Sequence, residues 1–266
     1  MKFITYVFAC FFWAGFLHAR QTPPDDMVKV EGGVYIPFYN SGTEEAEAQV
    51  ETFYIDKYHV TNQDFLDFVT ENPEWRKSMV KPIFADEGYL KHWEGDLNLG
   101  PDTGEIRNSP VTNISWFAAR AYAKWKNKRL PTLDEWEFAA SASEYEPVAS
   151  RDSSFVRKVL TLYGQPQPEK LPPVGSGQPN YHGIYNLHGQ VWEWVENFNT
   201  VFITGESRDG GGTNRQFYCA AGAAASPDTE NYAAFIRFAL RGSLEAHYTT
   251  KNLGFRLAQD VNNEIQ

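Results

Sequence analysis

Apolar and polar positions alternate from Val28 to Pro37, and the run turns at Gly32-Gly33, a pattern that predicts a β-hairpin. Val50 to Ile55 alternates again and predicts a strand, with Val50 and either Phe53 or Tyr54 facing inward. The period then changes. Thr61 stands where an N-cap belongs and Asp64 three residues on can bond back to the cap amide, while Phe65, Phe68 and Val69 share one helical face and Pro73 stops the helix. Ser115 caps a second helix with a stripe of Trp116, Ala119, Ala123 and Lys126, flanked by Tyr122 and Trp125. Thr132 and Glu135 form a capping box behind Pro131, with Leu133, Trp136 and Ala140 as the core face. Between these helices, Asn72 to Asn108 is aromatic, irregular and too long for a simple connector, so it is expected to cover part of the core or a groove. Beyond Ser141 the pattern predicts loops and short strands.

The first residues read differently. Lys2 precedes an uncharged apolar run from Phe3 to Leu17, and Leu17-His18-Ala19 offers a cleavage site. The run has the length of a signal core and is short for a membrane span, so residues 1–20 are expected to be an export signal, with an uncleaved anchor as the competing reading. A linker over 21–27, one domain over 28–260 and a tail over 261–266 complete the expected layout, which implies an exported protein with no membrane span after cleavage. The net charge is −10, with acidic and basic residues interspersed. No basic stripe exists to displace counterions, which argues against nucleic acid as a partner. Of the two cysteines, Cys10 lies inside the apolar run, leaving Cys219 as the single thiol of the expected mature chain. No intramolecular disulfide can then form; Cys219 is either a small buried apolar residue or a reactive thiol.

Candidate chemistry concentrates in Gly183 to Trp194, where two tryptophans, a glutamate and punctuating glycines share one short run. Exposed, it would leave much aromatic area in water, and its glycines disfavour a helix. A buried irregular loop is expected, with backbone groups that need partners, a bound cation being one kind. His59, His92, His182, His188 and His247 show no metal-ligand spacing, and no Gly-x-Ser-x-Gly nucleophile motif occurs. Arg241 and Arg256 are expected to bridge backbone carbonyls and carboxylates such as Glu193 or Glu137, in preference to binding substrate.

Four segments stand in order: Phe53-Tyr54-Ile55-Asp56-Lys57-Tyr58-His59-Val60-Thr61-Asn62, Pro110 to Ala140, Gly183 to Trp194, and Asn252-Leu253-Gly254-Phe255-Arg256. Together they resemble the formylglycine-generating enzyme (sulfatase-modifying factor) family, over roughly Val28 to Ala258. The resemblance implies one compact α+β domain with a C-type-lectin-like core, two main helices, short strands and much irregular structure. It also implies a copper- and oxygen-dependent oxidoreductase acting on cysteine through two cysteine ligands. Phe217-Tyr218-Cys219, after a Gly210-Gly211-Gly212 turn, matches the first. Counting back from Arg237 and Arg241 puts Tyr232 on the family's tyrosine and Ala233 where the second cysteine belongs, and Gln216 replaces a family serine. Trp192 matches a tryptophan that flanks the oxygen pocket. The resemblance further implies calcium, held by the Asn186 side chain, the Gly189 and Val191 carbonyls and the Glu193 carboxylate, oxygen ligands of the kind this ion takes; the competing reading pairs Glu193 with an arginine and makes Asn186 a turn cap. A second calcium loop is not expected within Arg151 to Pro179. Two functions follow. One is an oxidoreductase, with Cys219 as metal ligand and Trp192 shaping the oxygen pocket. The other is a noncatalytic module that presents the Asn72–Asn108 and Ala220–Asn231 loops to a peptide, protein or glycan.

Overall fold

The computed structural model describes residues 26–37, 47–199 and 232–261. The apolar run with Cys10, Gly210 to Gly212, Gln216, Cys219 and residues 220–231 lie outside the described residues.

Strand β4 (Phe53–Asp56) is central to the main sheet, antiparallel to β1 (Met27–Val30) on one side and to β7 (Ala258–Asp260) on the other. Phe53, Tyr54 and Ile55 are all buried. A strand covered on both faces has no solvent side to show, so the choice between Phe53 and Tyr54 as the inward residue resolves into both.

The expected hairpin does not form. β1 pairs with β4, whereas β2 (Gly33–Tyr35) pairs with β3 (Ala48–Val50) in a separate ladder. Gly32 carries the chain from one sheet to the other, and its amide donates to Thr52 Oγ1 at 3.0 Å. A Cβ there would lie 2.3 Å from the Val50 carbonyl oxygen, so the glycine serves close backbone approach, not a tight turn. The run Val50 to Ile55 divides for the same reason, into the end of β3 and most of β4.

Helix α1 (Asn62–Glu71) carries the predicted capping box, with Asp64 N bonded to Thr61 Oγ1 and Thr61 N bonded to Asp64 Oδ2 at 3.1 and 3.0 Å. Phe65, Phe68 and Val69 are buried as expected. A short α2 (Thr103–Ile106) lies in the long segment that follows, and α3 (Trp116–Trp125) starts at the Ser115 cap. The buried face of α3 is Ala118, Ala119, Tyr122 and Ala123, rotated from the expected stripe. Trp116 is half-buried, and Lys126 lies past the helix end with its ammonium 4.4 Å above the Trp125 ring. Tyr122 packs against Phe65, Phe68 and Phe255 with ring centroids 5.4–5.8 Å apart, which ties α1 to α3 in an aromatic core. The 72–108 segment covers that core, burying Tyr89, Leu90 and Trp93. Asn62 holds it down: its Oδ1 accepts from Trp93 Nε1 and His92 Nε2, and its Nδ2 donates to the carbonyls of Ile106, Ser109 and Pro110.

Helix α4 (Leu133–Ala140) shows the Thr132–Glu135 box and is buried nearly all round, well beyond Leu133, Trp136 and Ala140. The chain beyond Ser141 departs from the expected loops and short strands. It contains α5 (Ser153–Tyr163), capped by Asp152, and α6 (Tyr232–Ser243), besides the two-residue strands β5 (Trp192–Glu193) and β6 (Leu253–Gly254). Helices α5 and α6 pack together. No helix among the described residues is long and apolar enough to cross a membrane.

Candidate functional site

The Gly183–Trp194 loop is irregular, as its glycines require. Gly183, Asn186, Gly189 and Gln190 all have positive φ, from 30° to 94°. It ends in β5, parallel to β6, with Trp192 N donating to Asn252 O and Trp194 N to Gly254 O at 2.7 and 3.0 Å. Gly254 also lets Val111 come close, because a Cβ there would meet the Val111 carbonyl oxygen at 2.7 Å. Trp194 is fully buried and donates its indole N–H to Ile114 O at 2.7 Å.

Glu193 faces the interior from β5. Its Oε1 lies 2.9 Å from both Arg256 Nη2 and His59 Nε2, and its Oε2 accepts from Arg256 Nε at 2.8 Å and Trp136 Nε1 at 2.9 Å. Arg256 spends its remaining N–H groups on the carbonyls of Asp56, Lys57 and Tyr185. Burial alone would raise the Glu193 carboxyl, but the Arg256 guanidinium and His59 outweigh it and hold the group far below the usual carboxylate range. This is the arginine bridging expected of Arg256.

One residue after Trp136, Glu137 makes a second buried cluster. Arg237 of α6 donates from Nε to both carboxylate oxygens at 3.0 Å and from Nη2 to Oε2 at 2.6 Å, and Arg241 Nη1 donates to Oε1. Against the cost of burial, the two guanidiniums bring the Glu137 carboxyl down to about 2. Arg241 also lies 4.5 Å over the Trp136 ring, a cation–π contact, so this one indole joins the two clusters: its N–H bonds Glu193 and its face meets Arg241.

Tyr163, at the end of α5, continues the second cluster. Its hydroxyl accepts from Arg237 Nη1 at 3.4 Å and lies 2.8 Å from His188 Nδ1. His188 Nε2 lies 2.8 Å from the Ala140 carbonyl, which can only accept. The proton therefore sits on Nε2, Nδ1 is the acceptor, and Tyr163 donates to it. Burial, aided by Arg237, pushes His188 down to about 4 and keeps the ring neutral. Trp192 is half-buried and packs on Tyr163 with centroids 4.7 Å apart. Tyr163 thus joins Trp192 on one side to α6 on the other. Within α6, Ala233 is only 1% exposed and presents a methyl group.

Of the calcium expectation, Asn186 Nδ2 donates to Ser176 O at 3.0 Å and its Oδ1 is buried with no hydrogen-bond partner. Glu193 accepts the four N–H groups described above. Sequence reasoning missed Tyr163, His59 and the role of His188. A histidine six residues before Trp194 was visible, but its tyrosine partner depends on where α5 docks.

A family model described as "Sulfatase-modifying factor enzyme 1-like domain" matches residues 15–261. The chain belongs to this family. Its α+β fold with a C-type-lectin-like core is the one expected. The formylglycine-generating enzyme of Streptomyces coelicolor is 31% identical over 290 residues, covering 91% of this chain and 92% of that protein. The bovine formylglycine-generating enzyme is 25% identical over 298 residues, covering 91% and 76%. A bovine relative named inactive C-alpha-formylglycine-generating enzyme 2 is 33% identical over 183 residues, 56% of this chain and 61% of its own length. Enzymes of the sulfatase-modifying factor family and a relative named inactive thus match the same chain, and the residues at the site must decide between them.

Proposed function

We propose that this member of the sulfatase-modifying factor family does not perform two-thiolate copper oxidation and uses its scaffold as an exported, noncatalytic peptide-binding module. The observation that carries the reading is Ala233. Copper(I) is soft and is held tightly by paired thiolates. In the counted alignment Ala233 takes the place of the second, and a buried methyl group on α6 cannot ligate a metal. Cys219 is the only thiol outside the apolar leader, so the donor set does not fit copper. The basic groups beside Ala233 are committed to Glu137, which suits a rigid wall more than a reacting centre.

Copper(I) titration of the purified protein, with oxygen uptake measured on cysteine-containing peptides, tests this. Weak binding and no uptake are expected. Tight one-to-one binding abolished by Cys219→Ser, with oxygen consumption, would restore the oxidase reading.

A calcium ion at Asn186, Gly189, Val191 and Glu193 stands as a second proposal, favoured by the unpartnered Asn186 Oδ1. The saturated Glu193 carboxylate weighs against it, since an ion there would have to draw this group away from Arg256. Binding at a hundred times Kd adds about 2.7 kcal/mol of stability. A calcium-dependent rise in melting temperature that Asn186→Ala removes supports the ion, and identical melting with calcium and with chelator dismisses it.

A further inference from the structure

Charge is unevenly placed along the chain. The net charge is −10, yet no acidic residue stands between Glu105 and Asp134, and the end of α3 and the residues after it carry Arg120, Lys124, Lys126, Lys128 and Arg129. A cavity of about 330 Å³ opens here, between α3, residues 127–130 and β7. Buried Ala123 and Leu130 line it together with Arg120, Lys124, Lys128 and Arg129. Its walls are tied to one another. Arg129 and Ala258 exchange backbone hydrogen bonds at 3.0 and 2.7 Å, and Glu196 N donates to Pro131 O at 2.8 Å. Two of the four lining cations are spent: Lys128 Nζ lies 2.8 Å from Asp56 Oδ1, and Arg129 divides its N–H groups among Glu135, Asp260 and the Leu130 carbonyl. The other two are open. Lys124 is exposed and has no ion pair or hydrogen bond through its side chain among the described residues. Arg120 Nε lies 3.0 Å from Glu196 Oε1 and its guanidinium stands 4.6 Å from the centre of the Trp116 ring, which pins the head group and leaves both Nη nitrogens without a hydrogen bond among the described residues. The result is one pocket with two open cations, not a continuous basic face.

We propose that this cavity is the subsite for an acidic side chain of a bound peptide: Lys124 Nζ and the Arg120 Nη groups donate to the aspartate or glutamate carboxylate, and Glu196 Oε2 and Asp260 Oδ2 accept backbone N–H groups of the same peptide. The inference rests on the peptide-binding reading above and gives it a place and a charge. The lining decides the occupant. Arg120 and Lys124 stand four residues apart on α3, where like charges repel, and an anion bridging them removes that repulsion. A cleft with open charges of one sign also concentrates ligands of the other. A bare inorganic anion has no donor for Glu196 and Asp260, whose carboxylates repel it, and a neutral sugar leaves both cations unmatched. A peptide carries both parts, a carboxylate for the cations and backbone N–H groups for the acceptors. Neither Glu196 Oε2 nor Asp260 Oδ2 takes a hydrogen bond from the described residues, so both are open to those N–H groups.

The test is a titration of the full chain with acetyl-Gly-Glu-Gly-Glu-Gly-amide at low ionic strength, followed by calorimetry and NMR. Saturable binding is expected, with amide shifts in α3, residues 127–130 and β7. The same peptide with glutamine at both glutamates should bind about tenfold more weakly, and Lys124→Gln should weaken the acidic peptide about fivefold. Lys126→Gln removes an equal charge outside the lining and should change binding by less than about twofold. Both lysines are exposed, so both variants keep the fold. Equal weakening by the two substitutions, or none by either, overturns the subsite and leaves the peptide-binding reading standing, and so does a glutamine peptide that binds as well as the acidic one. Inorganic phosphate or sulfate that binds with the same shifts where the acidic peptide does not makes this a small-anion site and overturns the proposal. Failure of both peptides and of a random-sequence peptide library to bind removes the subsite and the peptide-binding reading together.

Discussion

Two of the buried carboxylates, Glu193 and Glu137, lie on either side of one indole and are built differently. At Glu193 one guanidinium meets one carboxylate, and Arg256 bonds three further carbonyls from the end of β4 and from Tyr185. The charges cancel and every donor is used. That cluster stitches together segments far apart in the chain, so it works as a central rivet. At Glu137 two guanidiniums share one carboxylate, both come from the single helix α6, and the excess charge is met by the Trp136 face and the Tyr163 hydroxyl. This cluster fastens one helix to the rest. The second lines the side of the molecule that carries Ala233, Tyr163 and Trp192.

Arg256→Ala should produce the largest effect. It strands a buried carboxylate and three carbonyls at once, and breaking a buried ion pair alone costs about 3–5 kcal/mol. With the carbonyls added, the loss approaches the whole stability of a typical domain. The expected result is a protein that does not fold, seen as loss of near-ultraviolet dichroism and of soluble yield. A folded variant with near-normal melting would show that the rivet is not one.

Glu137→Gln comes next. The amide keeps the shape but leaves two buried guanidiniums without a counter-charge, a cost of about 3 kcal/mol. Because both arginines sit on α6, hydrogen exchange should accelerate in α6 and at the end of α5 while the amides of β4 and α3 stay protected. Uniform acceleration across the domain would mean that the two clusters are equivalent, and the comparison would fail.

What was legible in the sequence follows from the range of the interactions. The caps at Thr61 and Thr132 are local devices, complete within four residues, and both stand as read. Strand pairing is not local. Gly32-Gly33 looks like a hairpin turn in isolation, and only the approach of Val50 shows that it is a crossing between sheets. Helix α6 was hidden for another reason. Its buried face is Ala233, Ala234, Arg237, Phe238 and Arg241, and a pattern that treats arginine as solvent-facing sees no stripe there. Pairing of Arg256 and Arg241 with Glu193 and Glu137 was readable, because buried charge needs buried counter-charge. The Tyr163–His188 bond was not, since it exists only once α5 has docked on the loop.

Acid separates the two clusters by a smaller effect. Glu137 has a folded value of about 2 against 4.5 for the free group, so its contribution is fully present above pH 4.5 and is lost as the pH falls toward 2. Each unit is worth about 1.4 kcal/mol, so roughly 2 kcal/mol should be gone by about pH 3. Glu193 is held lower still and should keep its proton off to a more acidic pH. His92 and His188, both pushed down to about 4 by burial, add a loss that begins near 6.5 as the unfolded chain takes up protons. Down to about pH 4.5 that histidine loss is set by protonation of the unfolded chain, which is the same in the wild-type protein and Glu137→Gln, so it cancels in their difference. The stability gap between the two proteins, measured by urea unfolding from pH 6 to pH 3, should therefore stay level down to about pH 4.5 and narrow below it. A gap already closing at pH 6, or still full at pH 3, would place the titrating group elsewhere than Glu137 and remove the electrostatic basis for treating α6 as the separately fastened helix.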